Sequence, residues 1–159
     1  ALPVINDSFM ASSLASAIGD VSYVMKRNAS DGDYQNYTVG ISGDADDFII
    51  LPDEGYYVYL DVVQKDFTIK GTHPGTRSID LVEGWNLIGW TSLDSSDAVA
   101  AFVDPLDSKI KYAVKTSFPY YGDNDMYVAG FSEPEDNFDV EPGYGYFIYV
   151  TSRCTLVHD

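Results

Sequence analysis

The chain has 159 residues, enough to bury a core as one domain or as two small ones. Its 45% hydrophobic and 21% charged residues mark a globular composition and exclude a disordered one. Nine basic residues against 25 acidic ones give a formal charge of -16, which repels phosphate backbones and anionic lipid and argues against nucleic acid as a partner.

The chain opens on ALPVI, where Ala1, Leu2, Pro3, Val4 and Ile5 form a short apolar segment with only one strand-blunting residue, the proline. Beginning on Ala1 fits a mature secreted chain or an excised piece. DSFMASSLASAIG then predicts a short helix, capped by Asp7, stopped by Gly19, with Met10, Leu14, Ala17 and Ile18 on its apolar stripe. Strands are expected near residues 21–26, 37–42, 55–62 and 67–70, with Gly, Pro, Asp and Asn supplying the turns between them. Three N-x-[ST] sequons, at Asn6, Asn28 and Asn36, all lie in this first half. Asn28 and Asn36 flank a polar turn and are the expected glycan acceptors. With the sequons, they point to an extracellular or cell-surface location.

GTHPGT and the residues after it, near 71–78, read as a joint. SIDLVEGWNLIGWTSL, residues 78–93, is a further strand pattern rich in Trp and branched side chains. SSDAVAAFVDPL predicts a second helix starting at Ser96 and stopped by Pro105, with Val99, Phe102 and Val103 inward. Strands follow near 110–115, 127–132, 145–152 and 154–158. In PGYGYFIYV, Tyr146, Ile148 and Val150 point one way while Phe147 and Tyr149 point the other. Such a strand belongs in the middle of a sheet with both faces covered.

The second half repeats the first. At an offset of 90, ten of the 28 positions from 33 to 60 carry the same residue, among them Asp33 with Asp123, Tyr37 with Tyr127, Pro52 with Pro142 and Gly55 with Gly145. Composition alone predicts roughly two. The chain is therefore read as mainly β, two similar sandwich-like or barrel-like modules over 1–72 and 73–159, each with one short helix. The Trp-bearing segment has no full counterpart in the first module, which is one strand short.

LVEGWNLIGW followed by VEPGYGYFIYV resembles a tandem repeat module of secreted archaeal and bacterial surface proteins. Gly84, Trp85, Asn86, Leu87, Ile88, Gly89, Pro142, Gly143, Gly145, Tyr146, Ile148 and Tyr149 stand on its motif positions. The resemblance implies a β-rich structural or adhesive part of an envelope or large surface protein.

No nucleophile elbow, zinc-protease helix, P-loop or dinucleotide fingerprint is present, and His73 and His158 are the only histidines, so the chain is not expected to be an enzyme. Cys154 and His158 share a strand face but lack further Cys or His ligands for zinc. Calcium fits better: SDGDYQN and GDNDMY place Asp31, Asp33, Asp123 and Asp125 at alternate positions of equivalent loops, as a hard cation requires. Tyr34, Tyr120 and Tyr121 in polar loops offer rings to a glycan. The expectation is a non-enzymatic structural subunit of an envelope layer or filament, a polymer of itself assembled head-to-tail by strand sharing through residues 1–5. The alternative is a glycan- or ligand-binding accessory module. No apolar run reaches the roughly 18 residues of a membrane span.

Overall fold

The computed structural model describes residues 9–62, 68, 70–73, 75–116 and 124–158. The expected first segment (Ala1, Leu2, Pro3, Val4, Ile5), the Asp7 cap, Tyr120, Tyr121 and Asp123 lie outside these, as do Phe67 and Ile69 of the strand expected at 67–70. The fold is mainly β. Helix α1 (Ala11–Ile18) is followed by β1 (Val21–Arg27), β2 (Tyr34–Thr38), β3 (Tyr56–Leu60), β4 (Arg77–Leu81), β5 (Gly84–Gly89) and the two-residue β6 (Ser96–Asp97). A π-helical turn Val99–Val103 runs into α2 (Asp104–Leu106) and a 3-10 turn. Then come β7 (Ile110–Thr116), β8 (Asn124–Val128), β9 (Asp139–Val140), β10 (Gly145–Val150) and β11 (Cys154–His158). The sheets are antiparallel with orders β2-β1-β3, β5-β10-β7-β8, β11-β4 and β6-β9, and among the described residues none closes into a barrel.

Several boundaries differ from the sequence expectation for local reasons. The apolar stripe of α1 is Ala11, Leu14, Ala15 and Ile18, spaced i, i+3, i+4 and i+7, and Ala17 is exposed because it stands off that face. Its start is capped from a distance: Asp47 Oδ1 accepts the Ser12 N–H at 2.9 Å, and Phe48 O accepts that of Ala11 at 2.8 Å. Ser96 does not cap the second helix. It sits in β6, and Asp97 Oδ1 takes the Ala100 N–H at 2.9 Å instead. Pro105 does not stop that helix but lies in the first turn of α2, where no N–H is needed. The strands expected at 37–42 and 127–132 shift back to β2 and β8. Residues 38–42 and 128–132 turn instead, with Ser42 and Ser132 Oγ accepting the N–H groups of Thr38 and Val128.

The long pattern 78–93 splits into β4 and β5 at a turn held by Asn86. Its buried amide accepts from Val82 N at 3.0 Å and donates to Val82 O at 2.9 Å and Gly84 O at 3.1 Å. Gly84 has φ 99° there, which a side chain would resist. The Asn of the GWNLIG motif thus satisfies a buried turn.

Pairing in the two larger sheets follows one register. β1 pairs β2 through Tyr23↔Thr38, Val24↔Tyr37 and Lys26↔Gln35; β7 pairs β8 through Tyr112↔Val128, Ala113↔Tyr127 and Lys115↔Asp125. β1 pairs β3 through Val21↔Leu60, Val24↔Val58 and Lys26↔Tyr56; β7 pairs β10 through Ile110↔Val150, Ala113↔Ile148 and Lys115↔Tyr146. The register shift falls at the same place in both. Tyr56 Oη accepts the Leu51 N–H and Tyr146 Oη that of Glu141, both at 2.7 Å. Phe48 stacks on Tyr56 and Phe138 on Tyr146, both at 6.1 Å.

Each sheet covers its own hydrophobic cluster. One gathers Leu14, Ile18, Val24, Phe48 and Ile50 under α1. The other gathers Phe102, Leu106, Tyr146, Ile148, Val150 and Leu156 beneath the second helical stretch and the β4–β11 pair. The two sheets differ at one edge: β10 has β5 beside it, whereas among the described residues β3 ends its sheet.

Candidate functional site

The most structured surface feature lies where the two sheets meet. Asp53–Gly55, just before β3, runs along the edge of β5 that β10 leaves open. Gly55 N–H donates to Leu87 O at 3.2 Å and Gly89 N–H to Asp53 O at 2.9 Å, around a bridge of Glu54 with Ile88. Gly55 and Gly145 come together beside this bridge, a Cβ built on Gly145 standing 3.6 Å from Gly55 Cα. Two residues on, the rings of Tyr57 and Phe147 meet at 6.3 Å. Residues equivalent by the 90-residue offset thus touch each other across the junction.

Two ion pairs brace it. Arg77 forms a two-pronged pair with Asp53, Nε to Oδ1 at 2.8 Å and Nη2 to Oδ2, which holds the guanidinium more firmly charged than usual. Lys26 Nζ lies 3.8 Å from Glu54, whose Oε2 also accepts the Tyr56 hydroxyl at 2.7 Å. Burial, and then that bonded carboxylate, push the Tyr56 phenol well above its ordinary range. Burial also raises Tyr146, to about 12.

A groove of about 620 Å³ opens beside the bridge, between the β1–β2 end, Asp53–Glu54 and the strands β4 and β5. A smaller apolar recess of about 280 Å³ adjoins it, lined by Arg27, Tyr34, Trp85, Val114 and Phe147. Arg27 and Tyr34 border both and face each other across β1–β2. Arg27 Nη1 donates to Trp85 O at 2.6 Å, and among the described residues no carboxylate pairs with it. Trp85 stacks on Tyr112 at 5.7 Å and meets Phe147 and Tyr149 edge-on at 6.1 and 5.3 Å. These half-buried rings make an aromatic face on the side of β5-β10-β7 away from its core.

Of the residues expected to hold calcium, Asp31 and Asp33 share the turn before β2. Asp31 Oδ1 accepts the Asp33 N–H at 2.9 Å and Oδ2 the Asn28 amide at 2.9 Å, so both oxygens already serve the turn. Asp125 is exposed on β8, opposite Lys115. Among the described residues no group of three or more His, Cys, Asp or Glu side chains is placed to hold a metal ion. Asn28 and Asn36 are both exposed. Asn28 Oδ1 accepts from Ser30 N and Oγ, while Asn36 Nδ2 donates to Thr38 Oγ1 at 3.1 Å. Cys154 and His158 face inward without forming a ligand pair: burial raises the thiol pKa, and the imidazole stacks on Trp90 at 4.6 Å. His73 bridges a turn, with Nε2 2.9 Å from Thr91 O and Nδ1 accepting the Gly75 N–H at 3.1 Å. Of the three tyrosines offered to a glycan, Tyr34 is the one described, and it stands half-exposed at the rim of the recess.

The sequence singled out neither Arg27 nor Trp85 as a pair. The visible signal was that a chain with nine basic residues places one of them, Arg27, just before its acidic turn. A comparison of the chain with family models, curated proteins and solved structures finds no match. No helix among the described residues is long and apolar enough to cross a membrane.

Proposed function

We propose that the protein is a non-enzymatic structural subunit of an extracellular assembly, an envelope layer or filament, made of two copies of one β-rich module. The common register of β2-β1-β3 and β8-β7-β10 supports the duplication. One observation carries the assembly: the second sheet continues past β10 to β5, and among the described residues the first stops at β3. A strand position filled in one copy and open in the other is an edge of unpaired N–H and C=O groups, ready to template another strand. A neighbouring subunit lends that strand, Ala1–Ile5 being the candidate donor. Donor and acceptor patches differ, so contacts run head-to-tail.

The outward groups of β3 follow from β5. Leu87 and Gly89 bond toward Asp53–Gly55, so by alternation Gly84, Asn86 and Ile88 bond to Val150, Ile148 and Tyr146. Val58, which stands in β3 where Ile148 stands in β10, therefore aims its N–H at the open edge. Light scattering and electron microscopy test the reading with native protein and Val58→Pro, which removes that N–H. Native material should exceed the 17.5 kDa monomer and form filaments or sheets, and Val58→Pro, folded by circular dichroism, should stay monomeric. A native protein that is monomeric at every concentration overturns it.

The second reading is a glycan-binding module. The junction groove, with Arg27, Tyr34 and Trp85 around one recess, favours it.

A further inference from the structure

Asp33, Asp53, Glu54 and Asp80 all line the junction groove, yet among the described residues none of them pairs with the Arg27 guanidinium beside them. Asp53 is held by Arg77 and Glu54 by Lys26 and the Tyr56 hydroxyl, so the two carboxylates nearest the bridge are occupied. Arg27, half-buried in a chain of formal charge -16, has a backbone carbonyl as its hydrogen-bond partner among the described residues. Holding a guanidinium partly out of water with one neutral acceptor leaves most of its five N–H donors for a bidentate partner. Its position is fixed on two sides. The Trp85 carbonyl pins Nη1, and the turn packs against Nη2 so closely that a Cβ on Gly32, at φ 81°, would stand 2.9 Å away. A preset cation loses little freedom on binding.

Beside it lie flat apolar surfaces. Trp85 and Phe147 form the recess, and half-exposed Tyr34 stands at its rim. Rings of this kind stack on the C–H faces of sugars while a polar groove meets their hydroxyls. Ser30, Gln35 and Ser78 line that groove. An extended peptide is the poorer fit, because Asp53–Gly55 and the Arg27 guanidinium already occupy acceptors on the nearby edge of β5.

We infer that the junction groove binds a saccharide bearing a carboxylate, its ring against Trp85 and Tyr34 and its acid group on Arg27. The inference rests on the glycan-binding reading and names its ligand class. The test titrates tetragalacturonate, its neutral methyl ester and a hyaluronan tetrasaccharide into the full chain, following the Trp85 indole N–H by NMR. The acidic sugars should move that signal and bind about ten-fold or more tighter than the ester, the worth of one charge-assisted pair. Arg27→Met should erase the preference while keeping the weak binding of the ester, Tyr34→Ser should weaken all three, and Phe131→Ser, at an exposed turn, should change nothing. Arg27→Lys keeps the charge without the fork and should fall between, which guards against a fold defect in the Met variant. Equal binding of acid and ester, unaffected by Arg27→Met, overturns the inference and leaves the glycan reading standing. No shift with any sugar at 10 mM, on the order of a hundred-fold weaker than useful recognition, overturns both.

Discussion

Gly55 and Gly145 occupy equivalent positions in the sequence repeat, yet alanine should act oppositely at the two. A Cβ at Gly55 would lie 2.7 Å from Leu87 Cγ and 2.8 Å from Ile88 O. Leu87 can swing aside, but the carbonyl belongs to the paired strand β5 and cannot move without breaking pairing. Overpacking of this kind costs about 1–3 kcal/mol. If the segment pulls away, the bonds Gly55 N–H to Leu87 O and Gly89 N–H to Asp53 O go too, at about 1 kcal/mol each. Gly55→Ala should therefore lose about 2–4 kcal/mol, lowering Tm by roughly 4–16 °C for a chain of this size. A Cβ at Gly145 meets Gly55 Cα and Ile88 O at 3.6 Å, ordinary contact, and Gly145 is not among the glycines with positive φ. Gly145→Ala should be neutral or stabilising by about 0.4–1 kcal/mol, through lower entropy of the unfolded chain. Urea unfolding followed by far-UV circular dichroism measures both. Equal losses at the two sites, or an unchanged Gly55→Ala, would refute the junction as described.

Half-buried Tyr56 and buried Tyr146 predict an alkaline transition. Their folded pKa values lie above the free value near 10, so the unfolded chain gives up its protons first, and their contribution, whole below pH about 10, drains away as pH rises through about 12 for Tyr146 and higher still for Tyr56. Absorbance titration at 295 nm should show tyrosines that ionise only as circular dichroism reports unfolding; a single smooth curve for all of them contradicts it. Tyr146→Phe leaves the Glu141 N–H without its acceptor and should cost about 1–3 kcal/mol in urea, more than the same change at exposed Tyr144. Asp47→Ala strips α1 of its distant cap and should cost about 1–2 kcal/mol, whereas Asp44→Ala, exposed on the preceding turn, should cost under about 0.5; similar losses would dismiss the capping role. If calcium binds the turns of Asp31 and Asp33, millimolar calcium should raise Tm against chelator, and identical melts remove calcium from the account.

Much of the fold was legible because β pairing leaves a period-two mark. The alternation of Tyr146, Ile148 and Val150 against Phe147 and Tyr149 placed β10 inside a sheet, and its flanks β7 and β5 lie on either side. Glycine and serine at the turns, and apolar spacing in α1, marked their elements to within a few residues. The sequence expected Asn28 and Asn36 to flank a polar turn, and both are exposed, Asn28 before that turn and Asn36 within β2 after it. What it did not determine depends on contacts between residues far apart in the chain. The cap of α1 comes from Asp47, 35 residues away, and the second helical stretch adds Asn137, 38 residues away, to its local cap Asp97, so no local pattern announces either distant cap. That β11 pairs β4 and not its neighbour β10, and that Asp53–Gly55 takes the outer edge of β5, are choices of packing among strands of similar propensity. Arg27 and Trp85 stand 58 positions apart, and only the meeting of two sheets at paired glycines sets a guanidinium beside an indole. Local sequence fixes which residues can be strand, turn or helix, whereas a groove between sheets exists only once their separate hydrophobic faces have been buried and their remaining surfaces pressed together.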